Sequence, residues 1–381
     1  GDEMNKRILT IAYATVILLG TAFMFSRPNY GWDMLPYSAL ALSYDIADPD
    51  STHALAYAEA RRVLPAAKYA LLVDTTDAYR RQALRDPEFF SRELVFYSIK
   101  PLFVAGIYAV YRLGFSIPRA TILPSLISFA LVSVLLLVWT RRLLPEPYAV
   151  GLSLSVVLGP FVLANGRGST PDLPTALLLL IGSYFLVEGE GRARAIGMVS
   201  LALAVLVRID ALLFVLMMAV YLDLFRIVPR RHIALMVSCA ALATALILLG
   251  HHEILDRLFI VRPAVARIAD DGSHSLIVAY LRGLGNGLIG LALSAVWLAI
   301  ALAVVTLYAR TRLVRSMRHD RPSVLLVLIL AHIGTRFVRH PIVEDRVLIA
   351  DYLLIWFVFL TTLQDLLGAG ATQARTQPLI Q

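Results

Sequence analysis

Apolar runs separated by short polar breaks repeat along the whole chain. A membrane-crossing helix needs about 20 predominantly apolar residues. Runs that meet or approach this length are Ile8–Phe25, Ile122–Trp139, Ala149–Ala164, Leu173–Val187, Ile196–Val207, Ala211–Phe225, Ile233–Gly250, Leu284–Tyr308, Val324–Val338 and Val347–Leu367. Ile196–Val207 is short, so its span should take in neighbouring residues. Pro101–Leu113 is also apolar, but it is short and carries Lys100 at its start and Arg112 near its end. It reads as a half-buried or surface helix. The pattern therefore predicts an all-α polytopic membrane protein of about ten transmembrane helices.

Between the first and second spans lies a polar loop, residues 26–100, that is not a simple linker. Ser51–Arg61 starts with a cap residue and continues with helix formers. Ala78–Leu84 reads likewise, and Asp86-Pro87-Glu88 marks a further start with Pro in the first turn. Two or three short helices along the membrane surface are expected. The single transmembrane domain should run over residues 4–367, with Gly1–Glu3 before Met4 a cloning remnant and 368–381 a disordered tail. The first span should stay uncleaved, since no small-residue cleavage site follows it.

Composition sharpens the class. Of 381 residues, 59% are hydrophobic and 16% charged, and the mean hydropathy is +0.73. Soluble domains carry about 25% charged residues, so a membrane protein is indicated. The net charge of +8 does not argue for nucleic acid, because the arginines sit in short clusters between apolar runs. Lys6/Arg7, Arg141/Arg142, Arg192/Arg194, Arg226/Arg230/Arg231 and Arg310–Arg321 obey the positive-inside rule if all are cytoplasmic. Both termini are then inside, and Arg27–Lys100, Asn165–Asp172, Arg208–Asp210, His251–Arg282 and Arg339–Arg346 face the other side. The lone Cys239 excludes an intramolecular disulfide.

The candidate chemistry gathers on that opposite face. Asp33 stands beside Trp32 just after the first span, with Tyr37 following; aromatics suit an interfacial position. Lys100 opens an apolar helix. Asp172 opens a span between Pro171 and Pro174, with Arg167 upstream. Arg208 and Asp210 break two apolar runs, a costly place for charge that implies pairing or function. His332, Arg336 and His340 recur at i, i+4, with Arg339 adjoining, and Glu344-Asp345-Arg346 follow, with Asp351 inside the next span. Such cations suit a phosphate or pyrophosphate, Arg336 and Arg346 foremost. Each group also has an ordinary reading: solvated loop acid, snorkelling lysine, helix-dipole partner, or neutralised surface pair. His251-His252-Glu253 with Asp256 and His274 lacks metal-ligand spacing. No cofactor is called for, although a divalent metal stays open. No P-loop, dinucleotide fingerprint or serine elbow is present.

The order of these motifs resembles the GT-C glycosyltransferases. The similarity is to the branch with the bacterial aminoarabinose transferases and the protein O-mannosyltransferases. It is carried by Asp33 after the first span, by the helical outer loop, by Lys100-Pro101-Leu102 before a short helix, and by Arg167-Gly168-Ser169-Thr170-Pro171-Asp172, and it covers roughly the first half of the chain. It departs from the family where Met34 rather than an acid follows Asp33, where Ile99 rather than an acid precedes Lys100, and in the looser Arg167–Asp172 spacing. The resemblance implies sugar transfer from a polyprenyl-phosphate donor to a lipid, glycan or protein acceptor at the extracytoplasmic face of a bacterial inner membrane. Asp33 would be the base. Asp172 would orient the acceptor or a metal, and Lys100, Arg208, Arg336 and Arg346 would meet the phosphate. Asp210, Trp32, Tyr37 and Arg167 would support them. Membrane lipids are the other expected partners. The rival classes are a transporter or flippase of lipid-linked sugars, and an outer-face glycan polymerase or ligase.

Overall fold

A computed structural model describes residues 2–74, 76–251, 284, 296–314, 316–339 and 345–376. Among them every regular element is helical; the one β-type contact is an isolated parallel bridge between Asn29 and Gly168. The chain opens with α1 (Asp2–Ser26), followed by an outer unit of short helices: α2 (Met34–Leu42), α3 (Pro49–Val63), α4 (Ala66–Leu72), α5 (Ala78–Arg85), α6 (Pro87–Ser98), α7 (Pro101–Arg112) and α8 (Ile117–Ala120). The main bundle then comprises α9 (Leu123–Leu143), α10 (Glu146–Val157), α11 (Pro160–Gly166), α12 (Asp172–Val187), α13 (Arg192–Val207), α14 (Ala211–Leu224) and α15 (Arg230–Gly250). It closes with three further helices, α16 (Val296–Leu313), α17 (Arg321–Arg339) and α18 (Ile349–Thr376).

Among the described residues five helices are long and apolar enough to cross a membrane: Glu3–Ser26, Ile117–Leu143, Arg230–Gly250, Arg321–Val338 and Arg346–Gly368. The number rises to seven if each of two bent pairs is one span. The described residues thus do not reach ten. Two of the missing segments, α12 and α14, are apolar but have only 16 and 14 residues. At 1.5 Å per residue they are about 24 and 21 Å long, short of a hydrocarbon core of about 30 Å. Ala149–Ala164 is broken, because Gly159-Pro160 turns α10 against α11 by 62°. Most of Leu284–Tyr308 lies outside the described residues. Helix α18 continues to Thr376, beyond Gly368, where the sequence pattern ended the ordered domain.

The outer unit has its own core. Asp48 caps α3 by accepting from the Ser51 amide at 2.9 Å, with Pro49 in the first turn, so that helix begins before Ser51, where the sequence pattern placed its start. Asp77 and Asp86 cap α5 and α6 in the same manner. At the centre lies α2, formed by the stretch expected to open a polar loop: Met34, Leu35, Tyr37, Ala39, Ala41 and Leu42 are all buried there. Phe90 of α6 and Phe103, Val104 and Ile107 of α7 pack in the same cluster. Helix α7 turns 109° from α6, so the two do not form one straight span. It forms part of this platform, as its short length and flanking charges suggested.

In the bundle, Tyr13 of α1 donates to the Ser133 carbonyl of α9 at 2.7 Å. Trp139 stacks on Phe357 at 3.9 Å, joining α9 to α18. The closest pairing is α12 with α13, where glycines let the backbones approach. A Cβ on Gly182 would fall 2.5 Å from Leu201, and one on Gly197 2.9 Å from the Gly182 carbonyl. Arg310 ties α16 to Asp320 and to Asp365 of α18, at the end predicted to be cytoplasmic. Overpacking costs about 1–3 kcal/mol, so Gly182→Val should lower the melting temperature in detergent. Gly20→Val, at a position with open space around it, should leave it nearly unchanged.

Candidate functional site

The chain brings its charged helix ends together at one end of the bundle. The tight α12–α13 pair sets Asp172, the first residue of α12, beside Arg208, which follows α13. Entry to α12 is held by side chains: Thr121 Oγ1 and Ser169 Oγ lie 2.9 Å apart, and Ser125 Oγ donates to the Thr170 carbonyl at 2.8 Å. The first span returns to the same place, since the Asn29 amide donates to the Arg167 carbonyl at 2.9 Å. Asp33 then stands at the N-cap of α2, three residues before the buried Pro36-Tyr37 pair.

An alternating chain of ions results. Arg346 Nη1 donates to Asp33 Oδ2 at 2.9 Å, and its Nε lies 3.7 Å from Asp172 Oδ2. The other oxygen of Asp172 pairs with Arg208. Arg208 Nε is 2.8 Å from Asp210 Oδ1, close enough for an ion pair though not aligned as a hydrogen bond. Asp210 pairs in turn with Arg336. Tyr97 completes the mouth by donating to Asp33 Oδ1 at 3.2 Å.

Depth grades the network. The Asp172 side chain is 2% exposed, whereas those of Asp33 and Arg346 are 25% and 39% exposed. The base of the site is thus dry and the Asp33–Arg346 pair meets solvent. Buried ion pairs gain little net stability, because desolvation offsets attraction, but losing one partner leaves a charge uncompensated at a cost of about 3–5 kcal/mol. Asp172 and Arg208 are therefore held to each other.

Lys100 sits at the break between α6 and α7. Its Nζ donates to the Phe96 carbonyl at 3.3 Å and lies 5.3 and 5.0 Å from the rings of Tyr37 and Tyr97. Burial pushes its pKa down to about 8; Arg208 lowers it too, and Asp33, Asp172 and Asp210 oppose the shift. Burial raises the Tyr37 and Tyr97 hydroxyls well above their usual range, and the Asp33 charge adds to this, so both stay protonated. Lys100, Arg208, Arg336 and Arg346 stand against the carboxylates of Asp33, Asp172 and Asp210, with Asp351 behind them, so cations and carboxylates are equal in number.

Other expected members fall into place differently. Trp32 packs edge-on against Tyr79 with Arg80 above it, turned toward the outer unit. Tyr37 is buried edge-on against Tyr97 and Phe103 beneath Lys100. Arg167 contributes its backbone to the bridge with Asn29, and its Nε is buried without a hydrogen-bond partner. His332 does not stand in an exposed row of cations. It is buried, with Nδ1 2.8 Å from Asp351 Oδ1, behind a small cavity that Asp172, Arg208, Asp210 and Arg336 also line. That cavity, about 20 Å³, has room for a single water. His340 and Glu344 lie outside the described residues, as do the side chains of Arg339 and Asp345 and, in the other loop, His252, Glu253, Asp256 and His274. Among the described residues no group of three or more His, Cys, Asp or Glu is placed to hold a metal ion. Tyr97 escaped the sequence reading, since a tyrosine within an amphipathic helix carries no mark of its partner.

No family model, no curated protein and no solved structure matches the chain. The functional reading therefore rests on this geometry.

The depressed Lys100 sets a pH dependence. A lysine whose folded pKa lies below its ordinary 10.5 opposes folding most below about pH 8, and that cost is relieved as pH rises from about 8 to 10.5. Lys100→Met should therefore raise the melting temperature at pH 7. Pyrophosphate binding, measured by calorimetry, should weaken as pH passes 8 in the wild type and lose that dependence in Lys100→Met.

Proposed function

We propose that the protein is a membrane glycosyltransferase. It moves a sugar from a polyprenyl-phosphate donor to an acceptor hydroxyl at the extracytoplasmic face of a bacterial inner membrane. The observation that carries this reading is a solvent-facing carboxylate, Asp33, paired with Arg346 at the open end of an ion network, at one end of a bundle of membrane-length helices. The reading also takes the chain as a GT-C-like fold in which short helices such as α12 and α14 complete about ten spans.

In the resting site Arg346 is shared between Asp33 and Asp172. A donor phosphodiester, singly charged like a carboxylate but able to accept from several donors at once, competes for Arg346 and for the nearby Lys100 ammonium. Asp33 then loses its ion-pair partner and is open to the acceptor hydroxyl. The acceptor O–H gives its proton to Asp33 as its oxygen bonds to the anomeric carbon. The bond from that carbon to the phosphate oxygen breaks, and the polyprenyl phosphate leaves with the bonding pair, its charge met by Lys100 and Arg346. Tyr97, protonated and fixed on Asp33 by its 3.2 Å hydrogen bond, orients the carboxylate. Asp172 holds Arg208 and Arg346 in place, and Asp210 does the same for Arg336.

A second reading, a transporter or flippase of lipid-linked sugars, is favoured by one observation. The ionisable pair His332–Asp351 is buried where α17 and α18 meet, and intramembrane charges often serve transport.

Purified protein given polyprenyl-phosphate sugars should release polyprenyl phosphate by transfer or hydrolysis. General-base catalysis contributes about 10²–10⁴-fold, so Asp33→Asn should slow release by that factor while donor binding persists. Tyr97→Phe should slow it less. Full activity in Asp33→Asn would sink the assignment, as would inert wild-type protein. Lipid-linked sugar crossing proteoliposome membranes without release would favour the transporter.

A further inference from the structure

The far end of the first span carries a second charged concavity, distinct from the site around Asp33. Lys6, Arg7, Thr10 and Ile11 of α1 face Arg141 at the end of α9 and Glu146 at the start of α10 around a groove of about 390 Å³. Three cations meet one carboxylate within it. Arg141 is spoken for only in part: Nη2 reaches Glu146 and Thr10, while Nε is buried without a hydrogen-bond partner. Glu3 lies one turn away, 3.2 Å from Lys6 on the open surface, where an ion pair is worth little. With Lys6 left to its own partners, Arg7 and Arg141 still outnumber Glu146 in the groove.

Two further observations identify the occupant. From Arg7 to Ser26, α1 rises about 30 Å, one hydrocarbon thickness, so this groove and Asp33 belong to opposite leaflets. Beyond the groove the surface is apolar. Ile8, Ile11, Leu18 and Leu19 of α1 are exposed, as are Leu131, Val134 and Val138 of the neighbouring α9. A cationic notch at the end of helices that expose apolar side chains along their length matches a molecule with an anionic head and two acyl tails. Basic pockets between helices on the cytoplasmic side bind such lipids.

We infer that this groove binds the headgroup of an anionic phospholipid of the cytoplasmic leaflet, with its phosphate on Arg7 and Arg141 and its chains along α1 and α9. The inference needs only the membrane assignment and the inward placement of the basic clusters, and it stands apart from the transferase reading. The test is native mass spectrometry of the purified full chain after exchange into micelles containing phosphatidylglycerol or phosphatidylcholine. The phosphatidylglycerol adduct should persist and the phosphatidylcholine adduct should not. Each cation near an anionic lipid is worth about 1 kcal/mol, or roughly fivefold. Arg7→Gln should weaken binding about fivefold and the double variant K6Q/R7Q roughly thirtyfold. Arg27→Gln, an equal loss of charge at the other end of α1, should leave it unchanged. Both groove variants alter side chains open to water on the first turns of α1, and a melting temperature equal to wild type would confirm folding. Equal retention of the two lipids would overturn the inference, and so would undiminished binding by K6Q/R7Q. Displacement by glycerol phosphate at equal concentration would also overturn it, by assigning the groove to a soluble phosphate.

Discussion

The shared guanidinium of Arg346 connects the two halves of this molecule. It reaches Asp33, which belongs to the outer unit, and Asp172, which begins a bundle helix. Without it, the outer unit would meet the bundle chiefly through apolar packing and the Asn29–Gly168 bridge. The link spans a gradient, since its Asp33 end meets solvent while its Asp172 end is dry. It orients Asp33 at the mouth of the site. The remaining ions make sense as its support, each carboxylate bracketed by cations and each arginine by carboxylates.

The glycine contact between α12 and α13 serves that network at a distance. With Gly182 and Gly197 at the crossing, the two helices pack closely enough that the start of one and the end of the other share an ion pair, Asp172 with Arg208. A chain of packed backbone thereby fixes the position of a charge. The outer unit does the same with side chains, where Tyr37, Tyr97 and Phe103 form a wall of aromatic edges against which Lys100 is partly desolvated.

The opposite end of the bundle is also ionic but differently built. Arg310 with Asp320 and Asp365 joins three helices and is mostly buried, which is a structural arrangement. The groove at Lys6, Arg7 and Arg141 is open and unbalanced in charge. A protein in a bilayer meets two chemically different surfaces, and this chain carries cations toward each of them in distinct ways.

Much of this was legible in the sequence, because hydrophobic runs and charge breaks are local properties. The all-helical character, the helix start at Asp86 and the packing of α7 as a short helix beside the outer loop follow from run lengths and local caps, and the charge breaks name the candidates Asp33, Lys100, Asp172, Arg208, Asp210, Arg336 and Arg346, whose meeting only packing settles. Three features were decided only by the tertiary structure. Residues 34–42 form a buried helix because neighbouring helices cover them, and no composition rule states what will cover a segment. Helices α12 and α14 end at 16 and 14 residues without taking in flanking residues, and how far a helix runs past its apolar stretch is set by what its ends pack against. The pairing of Asp33 with Tyr97 and Arg346, and of His332 with Asp351, joins residues as much as 313 positions apart. Partnership at that separation is set by packing, whereas the sequence determined which residues had charge to share.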